Sequence, residues 1–159
     1  MSVNLVWFRR DLRLSDNPAL YDAAQNGKPI VPLFILDENT ASSGAAFKWR
    51  LGLSIESLSS DLERHNSRLI LRKGKPLNVL KELKSMLGDV SIFWNRLYDE
   101  VSVERDTEIK SYFESIGVSV TSREGTLLHS PWKTKTNSGS HYKVSVSYTH
   151  LTLPTTPYV

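Results

Sequence analysis

The chain has 159 residues, 40% of them hydrophobic, and 20 basic against 17 acidic side chains give a formal net charge of +3. That length fits one domain with a sizeable core, and so slight a positive excess does not by itself argue nucleic-acid binding, which needs basic groups gathered on one face. With no cysteine, disulfides, zinc–thiolate sites and cysteine nucleophiles are excluded; no apolar run approaches the ~18–20 residues of a membrane span, and the charged N-terminal stretch has no signal-peptide pattern, so a cytoplasmic protein is expected.

The apolar opening predicts a first strand over Leu5–Phe8. Asn17 then has the character of an N-cap, with Pro18 at the first helical position, where its missing N–H costs nothing. This first helix runs about two turns to Gly27. Ile30–Leu36 is nearly all apolar, as a strand covered on both faces should be. Pro32 inside it points to an early or edge-like position.

Phe47, Leu51, Ile55, Leu58 and Leu62 recur at helical spacing and predict one buried face of a second helix. Ser43 is the expected cap at its start, and Asn66 the expected left-handed residue at its end. Leu69-Ile70-Leu71 is a short third strand. Pro76 opens a third helix closed by Gly88, and Val90–Trp94 is a fourth strand. Ile109, Phe113 and Ile116 mark a fourth helix closed by Gly117, and Val118–Thr121 is the fifth strand.

Alternation of strands and helices, with glycine at the helix-to-strand turns, predicts an α/β fold: a three-layer, Rossmann-like domain with a five-stranded, mainly parallel sheet. Functional groups are then expected at the C-terminal strand ends: Phe8–Arg13, Leu36–Glu38, Gly74–Pro76 and Asn95–Glu100. No glycine-rich phosphate loop of the common types is present. Trp7, Trp49 and Trp94 fall within predicted elements and are expected to bury large area. His65, His129 and His141 show no metal-ligand spacing, and no nucleophile triad or acid pair stands out.

Several motifs resemble the photolyase/cryptochrome family. The most specific is Trp7-Phe8-Arg9-Arg10-Asp11-Leu12-Arg13-Leu14-Ser15-Asp16-Asn17-Pro18-Ala19-Leu20. Gly44–Leu51 leading into Ser57-Leu58 is similar to the family's second helix, and Gly74-Lys75-Pro76 to its turn after the third strand. Trp94–Asp99 followed by Glu104-Arg105-Asp106 is similar to its fourth-strand motif. Leu127–Trp132 and Ser138–Val144 resemble the linker that leads out of the domain. The likeness is greatest to a bacterial class I photolyase, truncated.

The resemblance implies that residues 1–130 form an antenna-binding domain and 131–144 the start of an interdomain linker. Ser145–Val159 has no Lys, Arg, Asp or Glu and reads as a non-native tail, similar to translated sequencing adapter. It also implies a light-harvesting chromophore, a deazaflavin or a folate, in this domain. The FAD, the DNA-binding face and light-driven repair of pyrimidine dimers are implied for the full-length parent only, through a helical C-terminal domain absent from this chain. A cryptochrome-type photoreceptor and a free-standing nucleotide- or flavin-binding domain are the alternatives. The missing domain is expected to leave an apolar face around Leu127–Trp132.

The candidate chromophore-binding residues are Arg9, Arg10, Asp11, Phe34, Ile35, Asp37, Asn95, Arg96 and Asp99. Two readings fit the arginine–aspartate run: the border of a ligand pocket or of the interface with the missing domain, or a salt-bridge clamp that fixes the loop. Phe34, Ile35 and Asp37 form an apolar rim with one acid, which suits a flat heteroaromatic ligand or a strand leaving the core. Arg105 and Asp106 are expected to organise the start of the fourth helix. Where folate-binding members place an Asn-Glu pair shortly before this Arg-Asp, the chain has Val101 and Ser102, and both chromophore types stay open.

Overall fold

The computed structural model describes residues 2–25 and 27–127. Five strands, β1 (Ser2–Phe8), β2 (Ile30–Leu36), β3 (Ile70–Lys73), β4 (Asp89–Asn95) and β5 (Val120–Arg123), make one sheet in the order β3-β2-β1-β4-β5. Every neighbouring pair is parallel, so the expected α/β sheet is parallel throughout. The helices are α1 (Pro18–Gln25), α2 (Glu38–Ala41), α3 (Ala45–Arg64), α4 (Pro76–Leu87) and α5 (Glu100–Ser115).

The period-two alternation of β1 divides the core into two layers. Val3, Leu5 and Trp7 pack with Leu80 and Leu83 of α4 and with Ile109 and Phe113 of α5. Val6 and Phe8 pack on the other face with Ala19 and Ala23 of α1 and Leu58 and Leu62 of α3. Burial on both faces is why β1 and β2 read as continuous apolar runs. Asn4 is the polar residue in this run, and its side-chain amide donates to the Ala23 carbonyl at 2.7 Å. Gly88 and Gly117 hold φ of 80° and 76° at the ends of α4 and α5, a conformation in which a Cβ would be strained. Asn66 takes φ 55° after α3, as expected.

Pro32 lies in an interior strand, and the register shows how it is tolerated. Pairing of β2 with β3 begins only at Leu33, opposite Ile70. The Leu36 carbonyl accepts from Gly74 N–H on that side, and alternation places Pro32 on the same side. Its missing donor therefore faces a level that β3 has not yet reached.

Three expectations about α3 are corrected. Its N-cap is Gly44, without a side-chain hydrogen bond; Ser43 Oγ instead donates to the Asn39 carbonyl at 3.1 Å. Phe47 is 45% exposed and Trp49 68% exposed, because α3 buries only Leu58 and Leu62, in its C-terminal half, against the core. The single turn α2, too short for a periodic signal, was not anticipated. Asp37 caps it, its carboxylate accepting from Thr40 N–H at 2.8 Å.

Residues 1–125 form one compact unit, and Thr126 begins another of which Thr126 and Leu127 are described. The expected linker, the tail and the apolar stretch beyond Leu127 lie outside the described residues. No helix among the described residues is long and apolar enough to cross a membrane, and none of their His, Cys, Asp and Glu side chains group as a metal site.

Candidate functional site

Strand order reverses at β1, which has β2 on one side and β4 on the other. Loops leaving the C-terminal ends of these strands diverge there, which opens a crevice in folds of this kind. A cleft of about 400 Å³ occupies that place, lined from β1 by Trp7, Arg9, Arg10, Leu12 and Arg13, from β2 by Phe34, Ile35 and Asp37, and past β4 by Leu97 and Asp99. Phe47, Arg50, Leu51 and Ser54 of α3 and Ser102 and Arg105 of α5 complete the wall. Such a volume falls in the range of small-molecule sites.

A locked ionic assembly forms the cleft floor. Asp106 accepts from Arg9 Nη1 at 2.5 Å and from Arg105 Nη2 at 3.0 Å. Arg105 Nη1 reaches across to Asp37 Oδ2 at 2.9 Å, which ties α5 to the end of β2. The Trp7 ring lies beneath both guanidiniums, 4.9 Å from Arg9 and 5.1 Å from Arg105, and meets Trp94 edge-on at 5.8 Å. Arg9 also donates through Nη2 to the Asn95 carbonyl. Burial pushes the Arg9 pKa down from the ordinary value, opposed by the Asp106 carboxylate; arginine remains charged in proteins nonetheless. The indole Nε1 of Trp7 is a buried donor without a hydrogen-bond acceptor among the described residues.

A second network lies one layer deeper. The Asn95 amide nitrogen donates to Asp11 Oδ2 at 2.6 Å and to Asn17 Oδ1 at 2.7 Å, while Asn95 Oδ1 accepts from Ala19 N–H at 3.1 Å. Asp11 Oδ1 accepts from Arg9 N–H at 2.9 Å, and Asn17 Oδ1 caps α1 at Leu20 N–H, 3.2 Å. Asn95 thus fixes the loop between β1 and α1 from the end of β4.

Of the nine candidate residues, Arg9, Arg10, Phe34, Ile35, Asp37 and Asp99 line the cleft, and Asp11, Asn95 and Arg96 are not among its lining residues. Asp11 and Asn95 belong to the deeper network. Arg96 turns toward β5, bonding Ser122 Oγ at 3.1 Å and pairing with Glu124 at 3.7 Å. Asp99 has two roles, since its carboxylate also caps α5 at Ser102 N–H, 3.2 Å. Burial raises the Asp99 pKa, but hydrogen bonds from Ser102 and the charge of Arg10 outweigh it and hold the carboxyl below its ordinary value.

Sequence reasoning passed over Arg105 as a cleft residue. The signal was present in its spacing: Asp99, Ser102 and Arg105 follow at steps of three from the cap of α5 and so share a face. Phe47 and Arg50 were hidden differently, because the stripe that places Leu58 in the core carries Phe47 onto the cleft.

Comparison with known proteins agrees with this architecture. The DNA photolyase family model matches residues 4–156. Deoxyribodipyrimidine photo-lyase of Agrobacterium fabrum is 40% identical over 140 residues, covering 88% of this chain and 29% of that protein. Cryptochrome-2 of Arabidopsis thaliana is 36% identical, covering 91% of this chain and 24% of that protein. Among solved structures, a bacterial class III photolyase from Agrobacterium tumefaciens superposes with TM-score 0.84 at 39% identity, over 90% of this chain and 30% of that one. An archaeal photolyase from Sulfolobus tokodaii, solved with two FAD molecules, gives TM-score 0.75 at 25% identity, over 96% of this chain and 34% of that one. This chain therefore spans about a quarter to a third of the relatives it matches. The class III neighbour, set beside the class I likeness of the motifs, confines the identification to the family. With the β1–α1 motif, the parallel sheet and the cleft at its switch point in agreement, the chain belongs to the DNA photolyase family.

Proposed function

We propose that the cleft holds a light-harvesting chromophore and that the chain is the antenna domain of a longer, light-dependent DNA-repair photolyase. The observation that carries this reading is the cleft itself: about 400 Å³ at the switch point, walled by Trp7, Phe34, Ile35, Phe47 and Leu51 with arginines at its margin. Flat apolar walls with a few polar groups suit a planar heteroaromatic ring. When bound, the chromophore supplies light absorption and passes its excitation to the flavin of the parent. The residues of this chain supply orientation and exclusion of water. The Arg9–Asp106–Arg105–Asp37 chain of ion pairs ties the β1, β2 and α5 walls together, and no side chain has to exchange a proton.

Supporting the chromophore class, the Sulfolobus photolyase was interpreted as carrying a novel light-harvesting cofactor. Deazaflavin and folate remain the two types implied by the motifs. The cryptochrome relatives favour a second reading, a photoreceptor that uses the same domain; the cleft serves both.

Titration of the full chain with a deazaflavin, FMN and pteroylglutamate, followed by absorbance and fluorescence, tests the proposal. Saturable binding is expected for at least one, weakened by Phe47→Asp. Phe47 is 45% exposed, so this change leaves the core intact. Absence of binding by all three, or binding indifferent to Phe47→Asp, would overturn the proposal.

A further inference from the structure

Resting on the chromophore reading, we infer that the cleft selects ligands with an anionic tail, a phosphate or a carboxylate, held at its mouth by Arg10 and Arg50. The charges of the cleft divide by depth. Those at the floor are used within the protein: Arg9 and Arg105 are spent on Asp106 and Asp37 at 2.5–3.0 Å, with side chains only 5–17% exposed. Two at the mouth are open, while Arg13 is held by the carbonyls of Ser15, Asp16 and Gly125 at 2.9–3.2 Å. The Arg10 side chain is 63% exposed and meets Asp99 only at 3.4 Å. Arg50 is exposed and has no side-chain partner among the described residues.

A ring seated against Trp7 and Phe34 leaves its substituent pointing outward, where it meets the Arg10 and Arg50 guanidiniums and the Asp99 carboxylate, the other lining carboxylate, Asp37, being paired with Arg105. Guanidinium forks match phosphate and carboxylate oxygens, with charge-assisted bonds stronger than neutral ones. The start of α3 adds to the same field. Gly44 brings no side-chain acceptor to its first-turn N–H groups, and Ser43 and Phe47 on either side of that start line the cleft.

Matched ligand pairs test this on the full chain: riboflavin against FMN, which differ by one phosphate, and pteroate against pteroylglutamate, which differ by one carboxylate. Within the pair that binds, the more anionic member is expected to bind on the order of tenfold tighter at low salt. That preference should shrink as ionic strength rises. Arg50→Gln and Arg10→Gln, both at exposed positions, should each cut the preference severalfold. Equal affinity within the pair that binds overturns the inference alone. A preference untouched by both variants overturns the assignment to these arginines. Failure of all four ligands and of the deazaflavin removes the chromophore reading and this inference together, whereas binding of the deazaflavin alone overturns only the inference. The pair that responds separates phosphate from carboxylate recognition.

Discussion

Asn95→Asp adds no volume, yet it exchanges the donor at the centre of the deeper network for an oxygen. The wild-type amide nitrogen sits 2.6 Å from Asp11 Oδ2 and 2.7 Å from Asn17 Oδ1, at a residue only 2% exposed. Two charged carboxyls in contact there would repel by roughly 5 kcal/mol at an effective dielectric near 20. The folded variant therefore takes up a proton and shares it between them. Holding a proton at pH 7 on a group of ordinary pKa about 4 costs about 4 kcal/mol, at ~1.4 per pH unit. The shared proton restores the contact to Asp11, and the bond to Asn17 is lost for about 1 kcal/mol more.

The expected deficit is thus about 5 kcal/mol at pH 7, within the whole stability of an ordinary domain. The folded variant binds more protons than its unfolded chain, so its stability falls as pH rises. At pH 5 the deficit should drop to about 2–3 kcal/mol. Urea titrations monitored by circular dichroism at the two pH values give the readout. Should the variant be unfolded at pH 7, refolding on acidification to pH 5 gives the same answer. A deficit that changes by less than about 1 kcal/mol over this interval would refute the reasoning.

Gly125→Ala presses on the same side chain without adding charge, since a Cβ there would stand 2.6 Å from Asn95 Cγ. It should cost about 1–3 kcal/mol of overpacking, flat with pH in the same titrations; a neutral substitution would show that Asn95 is not pinned. Asp106→Asn removes the shared counter-charge of Arg9 and Arg105, and with the Arg9 side chain 5% exposed it should lower stability by about 3–5 kcal/mol, read from the denaturation midpoint. Asp99→Ala should cost about 1 kcal/mol at pH 7 through the lost cap of α5. Because Asp99 is held below its ordinary value of 3.8, its contribution is full above that value and fades as pH falls through the folded value. The difference between wild type and Asp99→Ala should therefore vanish in acid, and one constant from pH 7 down to about 2 would contradict the assignment.

Local chemistry wrote much of this protein into its sequence. Asn17 before Pro18, glycine after α4 and α5, and apolar runs alternating with helical periods each act within a few residues, and together they specify a parallel α/β sheet. The β1–α1 motif likewise marked the cleft and its family. Contacts between distant segments could not be read this way. Arg105 and Asp37 are 68 residues apart, and Asn95 and Asp11 are 84 apart. Nothing in either neighbourhood shows that one pair walls a cleft while the other lies behind it. The α3 stripe makes the same point: its period gives the helix and its inner face, but what packs beneath it decides that Leu58 is core and Phe47 is cleft. Sequence determined the five strands and the four longer helices, because those choices rest on near neighbours; the single turn α2 and the cap of α3 were not legible. Tertiary structure alone decided which charges are spent on one another and which are left at the mouth, because that depends on where the strand ends converge.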